Sequence, residues 1–120
     1  MDTSIDPVAT AREIQKHRIG HLFRAAPNAG YTISAGYPMD CAREDTDNLS
    51  RLRDRLLETG ATGTTIRDKR NQYHEVTLAE LSVIIGELVD YGLSLYQRKW
   101  ELEADIAAAD TVESVEAVVW

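Results

Sequence analysis

The chain has 120 residues, of which 43% are hydrophobic and 28% are charged, and its formal net charge is −7. This length fits one domain, and the composition argues against wholesale disorder. The negative charge disfavours nucleic-acid binding, because phosphates need a basic surface to neutralise them. No window approaches the roughly 20 apolar residues of a membrane-spanning helix, and the N-terminus does not resemble a secretory signal. We therefore expect a soluble cytoplasmic protein without nucleic-acid or membrane partners.

The first predicted element is a helix from about Pro7 to Ala26. Asp6 is a good N-cap because its carboxylate accepts backbone N–H groups, and a proline at the first helical position loses no hydrogen bond. Apolar residues fall on one broad face of this helix, namely Ile5, Val8, Ala11, Ile19, Leu22, Phe23 and Ala26. Residues 1–35 are thus predicted to form an N-terminal helix and a linker.

The middle of the chain combines weak strand signals with a second helix. Residues 31–41 contain aromatic and β-branched residues with glycine and proline, which predicts a short extended segment or a small hairpin. Leucines spaced i, i+3, i+7 then predict a helix that is capped by Thr46 or Asp47 and ends at Gly60. Residues 61–76 place two strand-forming runs around a polar turn, which predicts a β-hairpin.

The strongest signal is a long helix that begins at the capping box formed by Thr77 and Glu80. A heptad-like stripe of about 25 residues follows, and its members are Leu81, Ile85, Leu88, Gly92, Leu95, Lys99, Leu102 and Ile106. A second stripe, rotated by about 90° around the same helix, consists of Val89, Leu93, Tyr96 and Trp100.

A short last helix is predicted after a capping box at residues 110–113, with Val112, Val115 and Val119 facing inward. The fold class that these elements predict is α+β and helix-dominant. Three to four helices surround one long C-terminal helix, and a small β-hairpin accompanies them. Residues 36–120 are predicted to form the compact helical and hairpin domain.

Few residues point to catalysis or to metal binding. His17 and His21 stand at i, i+4, a spacing that suits two metal ligands, but they lie off the apolar face and lack an HExxH pattern. Surface histidines are therefore the favoured interpretation, and a metal site is the alternative. Cys41 has acidic neighbours, which tend to raise a thiol pKa and disfavour a nucleophilic role. We expect no enzyme activity, catalytic residue, cofactor or metal.

The second stripe of the long helix is the predicted partner-binding site. Tyrosine and tryptophan are common anchors in protein interfaces, so we assign partner binding to Val89, Leu93, Tyr96 and Trp100. The alternative is that these side chains complete the core of the domain.

Three segments in a fixed order carry a resemblance to a known family. They are REDTDNL at residues 43–49, a hairpin running into VTLAEL at residues 76–81, and IAAADTVESVEA at residues 106–117. Over about residues 36–120 the chain resembles an uncharacterised phage and prophage domain family found in small tail-fibre-associated and tail-assembly proteins. Members often carry a tryptophan in the hairpin, where this chain has Ile66 and Tyr73.

The resemblance implies a phage protein without catalytic residues that binds a tail or tail-fibre protein. Its role would be an assembly chaperone or a minor structural component. The expected location is the cytoplasm of the bacterial host during infection, with incorporation into the virion tail and formation of a homo-oligomer left open. The alternative function is an acidic inhibitor of a bacterial defence system, which would present carboxylates where phosphates bind.

Overall fold

A computed structural model describes residues 6–120 of the chain, so Ile5, predicted on the first helix, lies outside the described residues. The elements are α1 (Pro7–Ala25), a 3-10 helix (Ala26–Ala29), β1 (Tyr31–Thr32), β2 (Pro38–Met39), α2 (Arg43–Thr59), β3 (Gly63–Arg67), β4 (Tyr73–Thr77), α3 (Leu78–Ala108) and α4 (Val112–Glu116). The predicted class is confirmed, because four α-helices with one long C-terminal member accompany two small antiparallel sheets.

The described residues divide into two compact units. The terminal unit contains residues 6–25 and Ser94–Trp120, and the central unit contains Ala26–Leu93. Helix α3 contributes residues to both. The predicted boundary between residues 1–35 and a compact domain over residues 36–120 stays a prediction. No helix among the described residues is long and apolar enough to cross a lipid bilayer.

In the terminal unit, α1 begins as the sequence predicts. The Asp6 carboxylate accepts hydrogen bonds from the N–H groups of Val8 at 2.9 Å and Ala9 at 3.3 Å. The main hydrophobic cluster of this unit contains the buried residues Ala11, Ile19, Ile106 and Val115. Two polar side chains of α1 also reach the C-terminal segment. Arg12 donates to the Ala109 carbonyl at 2.6 Å, and the buried Gln15 donates to the Val118 carbonyl at 2.7 Å.

The last helix differs in detail from its prediction. Its N-cap is Thr111, whose hydroxyl accepts from the Ser114 N–H at 3.0 Å, so Ser114 takes the place expected for Glu113. The helix ends at Glu116, so Val119 lies beyond it and is 64% exposed. The prediction that Val119 faces inward is therefore wrong. Helical spacing no longer sets the direction of a side chain once the helix has stopped.

In the central unit, α2 begins earlier than predicted. Its N-cap is Ala42 rather than Thr46 or Asp47, and the Asp45 carboxylate accepts from the Ala42 N–H at 3.2 Å. A carboxylate in the first turn thus satisfies a backbone donor although the cap residue has no polar side chain. Gly60 ends the helix as predicted, with φ of 70°, a left-handed conformation that glycine adopts without steric cost.

Two hairpins, α2 and the first half of α3 contribute residues to the core of the central unit. Strand β1 pairs with β2, which realises the small hairpin expected in residues 31–41, and β3 pairs with β4 as predicted. The capping box of α3 is present, since Thr77 and Glu80 exchange side-chain-to-backbone hydrogen bonds of 3.1 Å. The buried residues of this core are Ile33, Met39, Cys41, Leu56, Ile66, Val76, Leu81, Ile84, Ile85 and Leu88.

Candidate partner-binding surface

The predicted partner-binding residues lie in a row on α3. Their spacing of four, three and four places them on one face of the helix, while the stripe that contains Leu81 and Leu88 faces the core. The exposed fractions are 44% for Val89, 54% for Leu93, 45% for Tyr96 and 58% for Trp100. We call these four residues the apolar row. Whether the row binds a partner stays a prediction.

The two aromatic residues of the row belong to a cluster of rings in the terminal unit. Tyr96 meets the edge of Phe23 at a centroid distance of 4.8 Å and lies 5.7 Å from Trp100. Phe23 also contacts Trp120 at 6.1 Å. Edge contacts of this kind stabilise packing beyond the burial of the ring surface. The cluster therefore holds Tyr96 in a defined orientation, while about half of the surface of Tyr96 stays exposed.

Two cations lie over the cluster. The guanidinium of Arg98 is 4.8 Å from the ring centroid of Trp120, and the ammonium of Lys99 is 4.9 Å from that of Phe23. Lys99 also lies 3.7 Å from the carboxylate of Glu103. Cation–π contacts at exposed sites contribute about 0.5–1 kcal/mol each. The two positive charges therefore lie against the rings of the aromatic cluster.

Sequence reasoning missed a polar cluster at the turn of the β3–β4 hairpin. Asp68 is buried, and its Oδ1 accepts from the backbone N–H groups of Arg70 at 2.7 Å and Gln72 at 3.0 Å. Its Oδ2 lies 2.8 Å from Nε2 of His74, whose ring stacks on Tyr37 at a centroid distance of 3.6 Å. The hydrogen bond with His74 is the main reason that the pKa of Asp68 is below its usual range.

The hydrogen bonds of this cluster hold the turn of the hairpin together. An aspartate that orients a histidine is familiar from hydrolases, where the histidine activates a nucleophile. In the described part of the chain, the one hydrogen bond of the His74 side chain is with Asp68, so no hydroxyl or thiol is coupled to it. Asp68 closes the turn through two backbone donors, and Asn71 beside it has φ of 63°. An aspartate in a polar turn is the sequence signal that could have predicted this cluster, because aspartate side chains in turns often accept a hydrogen bond from the backbone N–H two residues further along the chain.

The other candidate residues do not come together. His17 and His21 are exposed on α1, and the described residues contain no group of three or more histidine, cysteine or acidic side chains that could hold a metal ion. Cys41 is buried, and its Sγ lies 3.4 Å from the Pro27 carbonyl oxygen. Burial raises the pKa of this thiol, and the nearby carboxylates of Asp45 and Asp40 raise it further, which disfavours a reactive thiolate.

The fold and the exposed row define a helix-dominant α+β domain that carries an apolar surface on its longest helix. The chain matches the family model of DUF4376, a domain of unknown function, over residues 10–119. It therefore belongs to the DUF4376 family. The match begins inside α1, so the family region is longer than the resemblance over about residues 36–120 suggested. A comparison with curated proteins and one with solved structures find no match.

Proposed function

We propose that this chain is a non-enzymatic protein that binds a protein partner through the apolar row of Val89, Leu93, Tyr96 and Trp100. The supporting observation is that four large side chains, aligned on one face of a helix, each expose between 44% and 58% of their surface. Single exposed apolar residues are ordinary on protein surfaces. An aligned set that includes tyrosine and tryptophan is typical of binding sites.

The position of the row on a regular helix favours binding energetically. A helix fixes the backbone of these residues before the partner arrives, so little backbone conformational entropy is lost on association. Tyr96 is further fixed by its edge contact with Phe23 at 4.8 Å. The few interface residues that dominate binding cost about 2 kcal/mol or more when truncated, and tryptophan and tyrosine are enriched among them. Trp100 is therefore the proposed anchor.

The proposed partner is a phage tail or tail-fibre protein. This part of the proposal rests on the resemblance to a phage and prophage domain family, and the chain would act in the cytoplasm of an infected bacterial host. As an assembly chaperone, it would cover an apolar or strand-edge surface of the tail protein until assembly. As a minor structural component, it would keep that contact in the virion.

Affinity capture from infected-cell lysate, followed by mass spectrometry, tests the proposal. The tagged chain should capture a tail or tail-fibre protein, and both Trp100→Asp and Leu93→Asp should reduce the capture at least about tenfold. Tyr73→Asp is the matched control, because Tyr73 is an aromatic residue that is 71% exposed and belongs to β4 rather than to α3. Circular dichroism confirms that each variant is folded.

The possible results separate the roles. Undiminished capture by both folded row variants would place the binding site elsewhere on the chain. Capture of a host defence protein in place of a tail protein would support an acidic inhibitor instead. Mass spectrometry of purified virions then distinguishes the two tail-related roles, because a structural component is present at constant stoichiometry and a chaperone is absent.

A further inference from the structure

The outer edge of β3 carries backbone groups that do not pair with β4. The β3–β4 sheet has two strands in the register Gly63↔Thr77, Thr65↔Glu75 and Arg67↔Tyr73. The Asp68 N–H donates to the Gln72 carbonyl, and the Leu78 N–H donates to the Thr62 carbonyl. The pairs Asp68/Gln72 and Thr62/Leu78 are therefore hydrogen-bonded pairs. Along antiparallel strands such pairs alternate with pairs that do not bond to each other. The N–H and C=O groups of Gly63, Thr65 and Arg67 therefore point away from β4.

This edge is open over three residues. Gly63, Thr65 and Arg67 are exposed, and no backbone group outside the hairpin bonds to them within residues 6–120. Strand β3 also lacks the proline and lysine residues that usually prevent edge strands from pairing. At the turn, the Lys69 N–H donates to the Pro38 carbonyl at 2.8 Å, which ends the free part of the edge at Arg67.

The open edge is complementary to itself. When two copies of β3 lie antiparallel about a two-fold axis at Thr65, Thr65 faces Thr65 and Gly63 faces Arg67 in both directions. All three outward-facing positions then pair, with about six backbone hydrogen bonds between the copies. A two-fold axis is the commonest symmetry of protein oligomers.

The charges around the edge favour the same arrangement. The groove at Gly63 is lined by Glu75 and Glu80 and otherwise by uncharged residues, which are Thr62, Thr64, Thr65, Val76 and Thr77. Gly63 has no side chain, so a long side chain opposite it can lie over the strand towards these carboxylates. Arg67 is exposed and forms no salt bridge within the described part of the chain. The two-fold register places Arg67 of each copy at this acidic groove of the other.

We propose that a second copy of this chain pairs with the outer edge of β3 to form a four-stranded antiparallel sheet. Arg67 of each subunit then lies in the groove at Gly63 of the other, near Glu75 and Glu80. This dimer surface consists of other residues than the apolar row, and it goes beyond the proposed function. An interface with three residues of strand is small, so association is weak and depends on concentration.

Sedimentation velocity and amide exchange test the dimer. Over concentrations of roughly 10 µM to 1 mM, the sedimentation coefficient should rise from that of a monomer to that of a dimer. NMR should show that exchange of the Gly63, Thr65 and Arg67 amides slows in parallel. Thr65→Pro removes an outward-facing N–H without removing a hydrogen bond to β4, and it should weaken the dimer at least about tenfold.

Charge reversal tests the role of Arg67. Arg67→Glu should also weaken the dimer at least about tenfold, and adding Glu75→Arg to the same chain should restore much of the loss. Arg70→Glu is the matched control, because it makes the same charge change in the turn, outside the edge.

A chain that stays monomeric at all concentrations would overturn the proposal and leave the edge to a strand of another protein. A dimer that persists in the folded Thr65→Pro and Arg67→Glu variants would overturn it as well.

Discussion

Two valines near the C-terminus show how strongly the burial of a residue depends on its position. Val115 is fully buried at 0% exposure in the core of the terminal unit, whereas Val119 is 64% exposed. Both follow the apolar spacing that predicts an inward orientation. The helix ends between them at Glu116, so only Val115 retains the direction that the spacing implies.

This difference predicts the result of a pair of substitutions. Val115→Ala should lower the free energy of unfolding by about 2 kcal/mol, because it removes two buried carbon atoms and leaves a cavity. Val119→Ala makes the same chemical change at an exposed site and should alter it by less than about 0.5 kcal/mol. Urea denaturation measures both values, and equal effects would contradict the burial of Val115.

Asp68 stabilises the turn of the β3–β4 hairpin through three hydrogen bonds. Its carboxylate joins three parts of one turn, accepting from two backbone N–H groups and pairing with His74. The hydrogen bond with His74 lowers the pKa of Asp68 in the folded state, so the ionised carboxylate stabilises the fold. That stabilisation is present above the pKa of aspartate in an unfolded chain, about 3.9. It is lost as the pH falls through the lower pKa of the folded state.

The stability of an Asp68→Asn variant should therefore depend less on pH. At pH 7 its melting temperature should lie below that of the unaltered chain, and the difference should shrink as the pH falls from about 4 towards 2. Asp105→Asn, at an exposed position on α3, controls for the general effect of removing a carboxylate. If thermal melts show the same change of melting temperature with pH for both variants, the proposed role of Asp68 is wrong.

At the scale of the element, local signals explain where most helices begin and end. The Thr77 and Glu80 capping box starts α3, Asp6 starts α1, and Gly60 ends α2 in a left-handed conformation. The starts of α2 and α4 are exceptions: α4 is capped by Thr111 with Ser114, one residue later than its predicted box. The polar residues Thr46 and Asp47 suggested a cap, but the carboxylate of Asp45 bonds back to Ala42 and the helix begins before them.

Substitution of the α3 cap tests its contribution. Thr77→Ala removes the oxygen that accepts from the Glu80 N–H, and it should destabilise the fold by about 1 kcal/mol. Thr77→Ser keeps this oxygen and should retain most of the stability. If chemical denaturation shows equal losses for the two variants, the hydrogen bond at 3.1 Å is not the stabilising feature.

At the scale of the whole molecule, the family match over residues 10–119 includes parts of both compact units. The proposed surfaces are of two kinds. The apolar row is a helix face with two aromatic anchors, and the β3 edge is a row of unpaired backbone groups with a charged groove beside it. Because the two proposals rest on different residues, Trp100→Asp should leave the dimer intact and Arg67→Glu should leave partner capture intact.

The sequence by itself determined the helix-dominant class, the α3 helix, its capping box and the turn position of the β3–β4 hairpin. These features follow from spacing and from capping, which act between residues close in the chain. Only the tertiary structure decided that Phe23 and Trp120 meet and that His74 stacks on Tyr37. Those outcomes depend on which segments pack together, and no local pattern in a single sequence specifies contacts between residues far apart in the chain.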